Sequence, residues 1–178
     1  MSNKSRVATV WMDGCSGCHM SFLDMDERLL ALGDQIEVVY SPLVDIKEFP
    51  PDVDVTLVEG SISSVEDLEK IQHFRSRTKL LVSLGDCAVT ANVPSMRNPF
   101  DVDCVLRRGY QENADINGHA PTENIPKLLP KARPLHEVVK VDVFIPGCPP
   151  SADTIHFALS ELLAGRTPEL SGLTRFGA

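Results

Sequence analysis

Apolar positions along the chain fall into short continuous runs separated by longer stretches with helical spacing. Residues 7–12, VATVWM, form an unbroken apolar and β-branched run, the pattern of a strand covered on both faces. Over residues 20–32, Phe22, Met25, Leu29 and Leu32 recur near one helical face, and Gly33 supplies a C-terminal stop. IEVVY at 36–40 predicts a second strand, followed by a loop punctuated by Pro42, Pro50 and Pro51. VDVTLV at 53–58 predicts a third strand. Ser63 with Glu66 has the form of a capping box opening a helix that runs to about Arg75. Residues 80–84 and 141–145 predict the fourth and fifth strands. Ser151 is placed to cap a last helix, with Ile155, Ala158, Leu159, Leu162 and Leu163 on one face and Gly165 at its end.

Strands that are apolar throughout, alternating with helices, predict an α/β fold with helices on both faces of a parallel sheet. Five strands joined by right-handed crossovers suit a flavodoxin-like, doubly wound sheet of order 2-1-3-4-5. The expectation is one such domain over residues 1–178, with an irregular segment before the last strand. That segment, residues 92–140, is rich in Pro, Asn, Asp and Arg and lacks sustained periodicity. Loops of this length in a compact domain are functional or partner-bound, so it and the Pro-rich stretch 42–51 are candidate contact surfaces. Both read equally well as plain surface loops.

Composition narrows the function classes. In 178 residues, 43% hydrophobic and 24% charged, there is enough apolar material for a packed core and no long apolar span, which excludes a disordered or membrane-spanning chain. A net charge of −8 argues against nucleic-acid binding. The N-terminal MSNKSRVATVWMDG has a short apolar stretch that runs into Asp13, with no Ala-x-Ala site and no twin arginines. The expectation is a cytoplasmic protein with reduced thiols, in which grouped cysteines are catalytic or metal-binding.

Four of the five cysteines follow strands. Cys15 and Cys18 form CSGC after the first, Cys87 lies in SLGDCAV after the fourth, and Cys148 lies in IPGCPP after the fifth. In a parallel sheet these loops all emerge at the carboxyl edge, where such folds bind ligands, so thiols distant in sequence can converge. Each has a glycine within one or two residues, which permits tight turns and lets backbone N–H groups point at sulfur. Four thiolates suit a 4Fe–4S cluster or a structural zinc ion. Zinc prefers paired CxxC motifs, and one CxxC joined by two lone cysteines favours the cluster. A thioredoxin-like redox pair at CSGC is the plainer alternative, leaving Cys87 and Cys148 as accidents. Cys104, in DVDCVL, reads as a small buried hydrophobe.

Other residues near these loops have two readings each. Glu59, ending the third strand, is costly there unless hydrogen-bonded or charge-paired. It either stabilises a loop beside the cysteine site or relays protons, or it caps a helix or braces a loop through N–H groups around residues 61–64. His19 directly follows the CxxC; it donates to a cluster sulfur or faces a partner, or else it is a solvent-facing residue at a helix start. Asp86 reads as a loop-bracing acceptor. His73, His119, His136 and His156 are scattered and read as surface or satisfied polar residues. The sequence has no GxGxxG after a strand, Walker A loop, GxSxG elbow or HExxH. FMN, which a flavodoxin-like sheet can bind, would need the loop that CSGC occupies.

The segments WMDGCSGCHMSFLD, VTLVEGSI, SLGDCAVTANVPSMRNP and IPGCPPSADTI together resemble the small subunit of nickel–iron hydrogenases, most closely the soluble, NAD-reducing (bidirectional) type. The resemblance runs from about Arg6 to Arg166. It implies that Cys15, Cys18, Cys87 and Cys148 hold a proximal 4Fe–4S cluster, with Glu59 close by. Larger respiratory relatives carry further Cys and His for two more clusters; no Cys follows Cys148, so one cluster is expected. The terminal-cluster subunit of quinone-reducing complexes shares GCPP but has adjacent cysteines, where Ser16 and Gly17 intervene here. The implied function is electron transfer for H2 + NAD+ = NADH + H+. The implied partners are a large subunit with the nickel–iron centre and diaphorase subunits with further iron–sulfur clusters, FMN and NAD. The competing expectations are a quinone-reductase-type subunit, an FMN-binding electron-transfer module and a zinc-stapled interaction domain.

Overall fold

In the computed structural model, which describes residues 4–177, the apolar runs become strands of one sheet. Residues 1–3 of the N-terminal stretch, and Ala178, lie outside the described residues. The elements are β1 (Ser5–Trp11), α1 (Gly17–Leu23), α2 (Glu27–Leu32), β2 (Ile36–Tyr40), β3 (Val53–Glu59), β4 (Ile62–Ser64), α3 (Val65–Ser76), β5 (Thr78–Leu84), α4 (Asp86–Thr90), α5 (Val102–Arg107), β6 (Leu128–Arg133), β7 (Val143–Ile145) and α6 (Ala152–Leu163). Short 3₁₀ or π turns add to these at Pro94–Arg97, Arg108–Glu112 and Leu135–Glu137.

The main sheet is parallel in the order β2-β1-β3-β5-β7. Counted along its own strands this is 2-1-3-4-5, the expected flavodoxin-like order. The direction of winding reverses between β1 and β3, which is where doubly wound sheets open a crevice. One face packs Phe22, Met25, Leu32, Ile155, Ala158 and Leu159 against Val7, Val55, Leu57 and Val82. The other packs Ile71, Phe74, Ala88 and Leu135 against Ala8, Val10, Val58 and Leu81. Alternate residues of β1 and β3 therefore serve opposite cores, which is why these strands read as continuously apolar.

Three details differ from the sequence expectations. The helix expected over 20–32 is broken into α1 and α2. Asp24 and Asp26 flank the buried Met25, i→i+3 turns replace helical bonds there, and Asp26 takes φ 49°. Aspartate competes with the helix by favouring turns, so the break falls where two of them cluster. The capping box is one residue later than read: Ser64 Oγ accepts from Asp67 N at 3.0 Å, and Asp67 Oδ2 accepts from Ser64 N at 2.9 Å. The irregular segment contains β6, which pairs antiparallel with β4 in a separate two-stranded sheet, and the isolated α5, in which no residue is buried. Among the described residues no helix is long and apolar enough to cross a membrane.

Candidate metal centre

Register carries the four cysteines to one place. Trp11 of β1 lies beside Glu59 of β3, Glu59 beside Leu84 of β5, and Leu84 beside Ile145 of β7. Four strands thus end in one row, and CSGC, Gly85–Cys87 and Gly147–Cys148 leave from that row on the same edge. The second and third loops are laced together: Gly85 N donates to Ile145 O at 2.8 Å, Asp86 N to Gly147 O at 2.8 Å, and Gly147 N to Asp86 Oδ1 at 2.7 Å. Asp86 is the loop-bracing acceptor it was expected to be, and its other oxygen accepts from Gly177 N.

The CSGC turn is pressed against the Cys87 loop. A methyl group on Gly85, whose φ is +81°, would come within 2.2 Å of Cys18 Sγ, so glycine is required there for both its conformation and its lack of a side chain. Ser21 Oγ donates to Pro150 O at 2.6 Å, binding α1 to the Cys148 loop. Cys18 is buried, Cys87 half-buried, and Cys15 and Cys148 exposed, so the site is closed toward the sheet and open outward.

Two sulfur contacts lie beyond the sequence reading. Asn92 Nδ2 donates to Cys148 Sγ at 3.7 Å, and Val93 N–H donates to Cys87 Sγ. Both donors sit at the start of the segment treated as irregular, just after α4.

Electrostatics describe the same gathering. Burial pushes the Cys18 thiol strongly up, and the negative charges of Glu59, Cys87, Cys15 and Cys148 push it further. Burial also raises Cys87; the Val93 N–H opposes this, while Cys148, Cys15 and Glu59 add to it. Four thiols gathered beside a carboxyl group can all ionise only with a cationic group among them. Among the described residues, no three His, Cys, Asp or Glu side chains close around a single point as one ion's ligands do. The donor chemistry, four cysteine thiols on loops that leave one sheet edge, fits a 4Fe–4S cluster.

Glu59 and His19 are both buried, at 2% and 6% exposure. Glu59 Oε2 accepts from His19 N at 2.8 Å and from His19 Nδ1 at 2.5 Å. The capping role expected of Glu59 at residues 61–64 is played instead at His19 N, in the first turn of α1. The N–H groups expected to engage Glu59 are taken elsewhere, Ser61 N by Asp13 O and Ser63 N by Asp67 Oδ2. His19 is not solvent-facing, because Glu59 draws it inward. Cys104 needs a correction too: it is exposed, on a helix none of whose residues is buried.

Residues 15–162 match the family described as NADH ubiquinone oxidoreductase, 20 Kd subunit. The delta subunit of the NAD-reducing hydrogenase HoxS of Cupriavidus necator is 43% identical, over 97% of this chain and 86% of that one. The chain belongs to this family. Its fold is also that of a chain in the crystal structure of an H2-reduced NAD+-reducing [NiFe]-hydrogenase, with 36% identity, a TM-score of 0.93, and 98% of this chain and 99% of that chain covered. A further relative, from the F420-non-reducing hydrogenase of Methanothermobacter thermautotrophicus, is 36% identical over 96% of this chain, which spans 57% of that relative's length. Within the family, the chain therefore groups with hydrogenase small subunits of the NAD-reducing, nickel–iron type.

Proposed function

We propose that this chain is the electron-transfer small subunit of a soluble, NAD-linked nickel–iron hydrogenase, with one 4Fe–4S cluster held by Cys15, Cys18, Cys87 and Cys148. The observation that carries this reading is the convergence of the three cysteine loops on one sheet edge, locked by the Asp86–Gly147 bonds and the Cys18–Gly85 approach. A cluster bound there supplies one-electron transfer. The chain's own residues hold and shield it. Asn92 and Val93 donate hydrogen bonds to two of the sulfurs, and β1, β3 and β5 close the inner side. The outer side, at Cys15 and Cys148, needs a partner to keep water out.

The overall reaction is H2 + NAD+ = NADH + H+, and no acid, base or nickel ligand for it is assigned to this chain. A large subunit with the nickel–iron centre covers the open edge, where Trp11, Met20 and Val93 expose half or more of their apolar surface. Diaphorase subunits with further iron–sulfur clusters, FMN and NAD take the electrons onward, with residues 92–140 and the 42–51 loop as contact segments. One flavodoxin-like domain does this work in the cytoplasm, where thiols stay reduced. The family's description favours a second reading, the terminal-cluster subunit of a quinone reductase. Against it stand Ser16 and Gly17, which separate the paired cysteines.

The test is Cys87→Ser in the assembled complex. The expected outcome is loss of this subunit's iron and of hydrogen-dependent NAD reduction, with NADH-driven dye reduction by the partner subunits retained. Cys104→Ser leaves all three unchanged. Wild-type hydrogen-dependent electron flow in Cys87→Ser overturns the ligand assignment. One zinc and no iron per chain favours the zinc-stapled domain, and flavin bound to the isolated chain favours the FMN module.

A further inference from the structure

The four cysteines do not account for the most deeply buried charged group beside them. Glu59 is the last residue of β3, the central strand, and both its hydrogen bonds from His19 end on one oxygen. His19 follows Cys18 directly. The pair therefore ties the end of the CSGC turn to the middle of the sheet, at the row of strand ends from which all three cysteine loops depart.

A brace could be built more cheaply. A neutral acceptor at position 59 would satisfy the His19 backbone N–H as well. A carboxylate is costly to bury, and this one sits against the residue that directly follows Cys18. The histidine brings a second cost: His19 Nε2 is buried and has no hydrogen-bond partner among the described residues. Leaving a buried ring nitrogen unpaired carries its full desolvation penalty. Two such costs at the site edge are consistent with a role in the site's chemistry, as strained or unsatisfied groups in native proteins often are.

The effect of a buried negative charge on a redox group has a definite sign. It opposes the arrival of an electron and so lowers the reduction potential. Resting on the four-cysteine reading, we propose that His19 and Glu59 form a positioning pair for the iron–sulfur group: His19 locks the Cys18 end of the CSGC turn onto β3, and Glu59 holds the group's reduction potential low.

The experiment is a redox titration of the purified complex followed by electron paramagnetic resonance, reading the signal that disappears in Cys87→Ser. Glu59→Gln is expected to keep the subunit's iron and shift the midpoint potential upward. Glu59→Asp, which restores the charge, is expected to bring it back toward wild type. A purely structural brace predicts no shift in Glu59→Gln. A wild-type potential there with full iron content therefore overturns the proposal. Should Glu59→Gln fail to assemble, His19→Gln decides, because it leaves the carboxylate in place and removes the ring. An altered line shape at little-changed potential supports the pair, and a wild-type signal in every respect overturns it. A wild-type complex with no signal that Cys87→Ser removes defeats the four-cysteine reading itself, a result distinct from an unshifted potential.

Discussion

Asn92 and Glu59 act on the proposed cluster with opposite sign. Hydrogen bonds to cluster sulfur disperse negative charge and raise the potential, whereas a buried carboxylate lowers it. Asn92→Ala removes the donor to Cys148 Sγ, so the midpoint potential is expected to fall, opposite to the shift in Glu59→Gln. The same titration of the complex checks it, and a rise or no change contradicts the contact. The cysteines themselves are legible in the sequence because each loop follows an apolar run and each cysteine has a glycine within two residues. Asn92 is not, because a lone donor placed by the five-residue α4 carries no periodic or compositional signal. His19 is visible as a candidate, but its burial depends on which neighbour claims Glu59. That is settled by Asp13 and Asp67 taking the competing N–H groups.

At the scale of elements, the edge strand β7 is held both by its ladder with β5 and by Asp142 just before it. Asp142 Oδ2 accepts from Arg75 Nη1 at 2.6 Å and from Leu81 N at 2.9 Å, joining the last turn of α3, β5 and the entry to β7. Burial alone would push its carboxyl up. The Leu81 N–H, Arg75 and Lys140 outweigh that and hold it below the usual range. A carboxyl depressed in the folded state adds stability that is fully present above its unfolded pKa of about 3.9 and is lost as the pH falls through the folded value. Asp142→Asn is therefore expected to destabilise the fold at pH 7 by about 1–3 kcal/mol, since it weakens a partly buried pair. Thermal melting should show the gap to wild type narrowing below about pH 4; a gap independent of pH contradicts it. The same region shows where reading elements from sequence succeeds and fails. The strands of the main sheet are legible because burial on both faces leaves an unmixed apolar run. β6, LLPKAR, is not, because it pairs only with the three-residue β4 and its Pro130 and Lys131 are exposed. The one-residue error in the capping box has a similar origin. Ser63 and Ser64 precede Glu66 and Asp67 in overlapping registers, and only the extension of β4 through Ser64 chooses between them.

Across the whole molecule, stability and the cysteine site are separable. Two apolar cores close both faces of the sheet, and of the four proposed ligands only Cys18 packs into either. The loops that carry the cysteines lie beyond the strand ends, held by a few backbone bonds and by glycines at positive φ such as Gly85. Stripping the iron with a chelator, with the thiols then kept reduced, removes the tie between loops distant in sequence and leaves negative groups facing one another. A group that binds only the folded form stabilises it, so the melting temperature is expected to drop on removal. The loss should also be local. Hydrogen exchange is expected to quicken over residues 13–18, 85–93 and 146–150 while amides of β1, β3 and β5 stay protected, because their bonds lie inside the two cores. Uniform loss of protection across the central strands would mean that the site, rather than the packed sheet, organises the fold. Unchanged protection in the three loops would mean that the cysteines bind nothing that joins them.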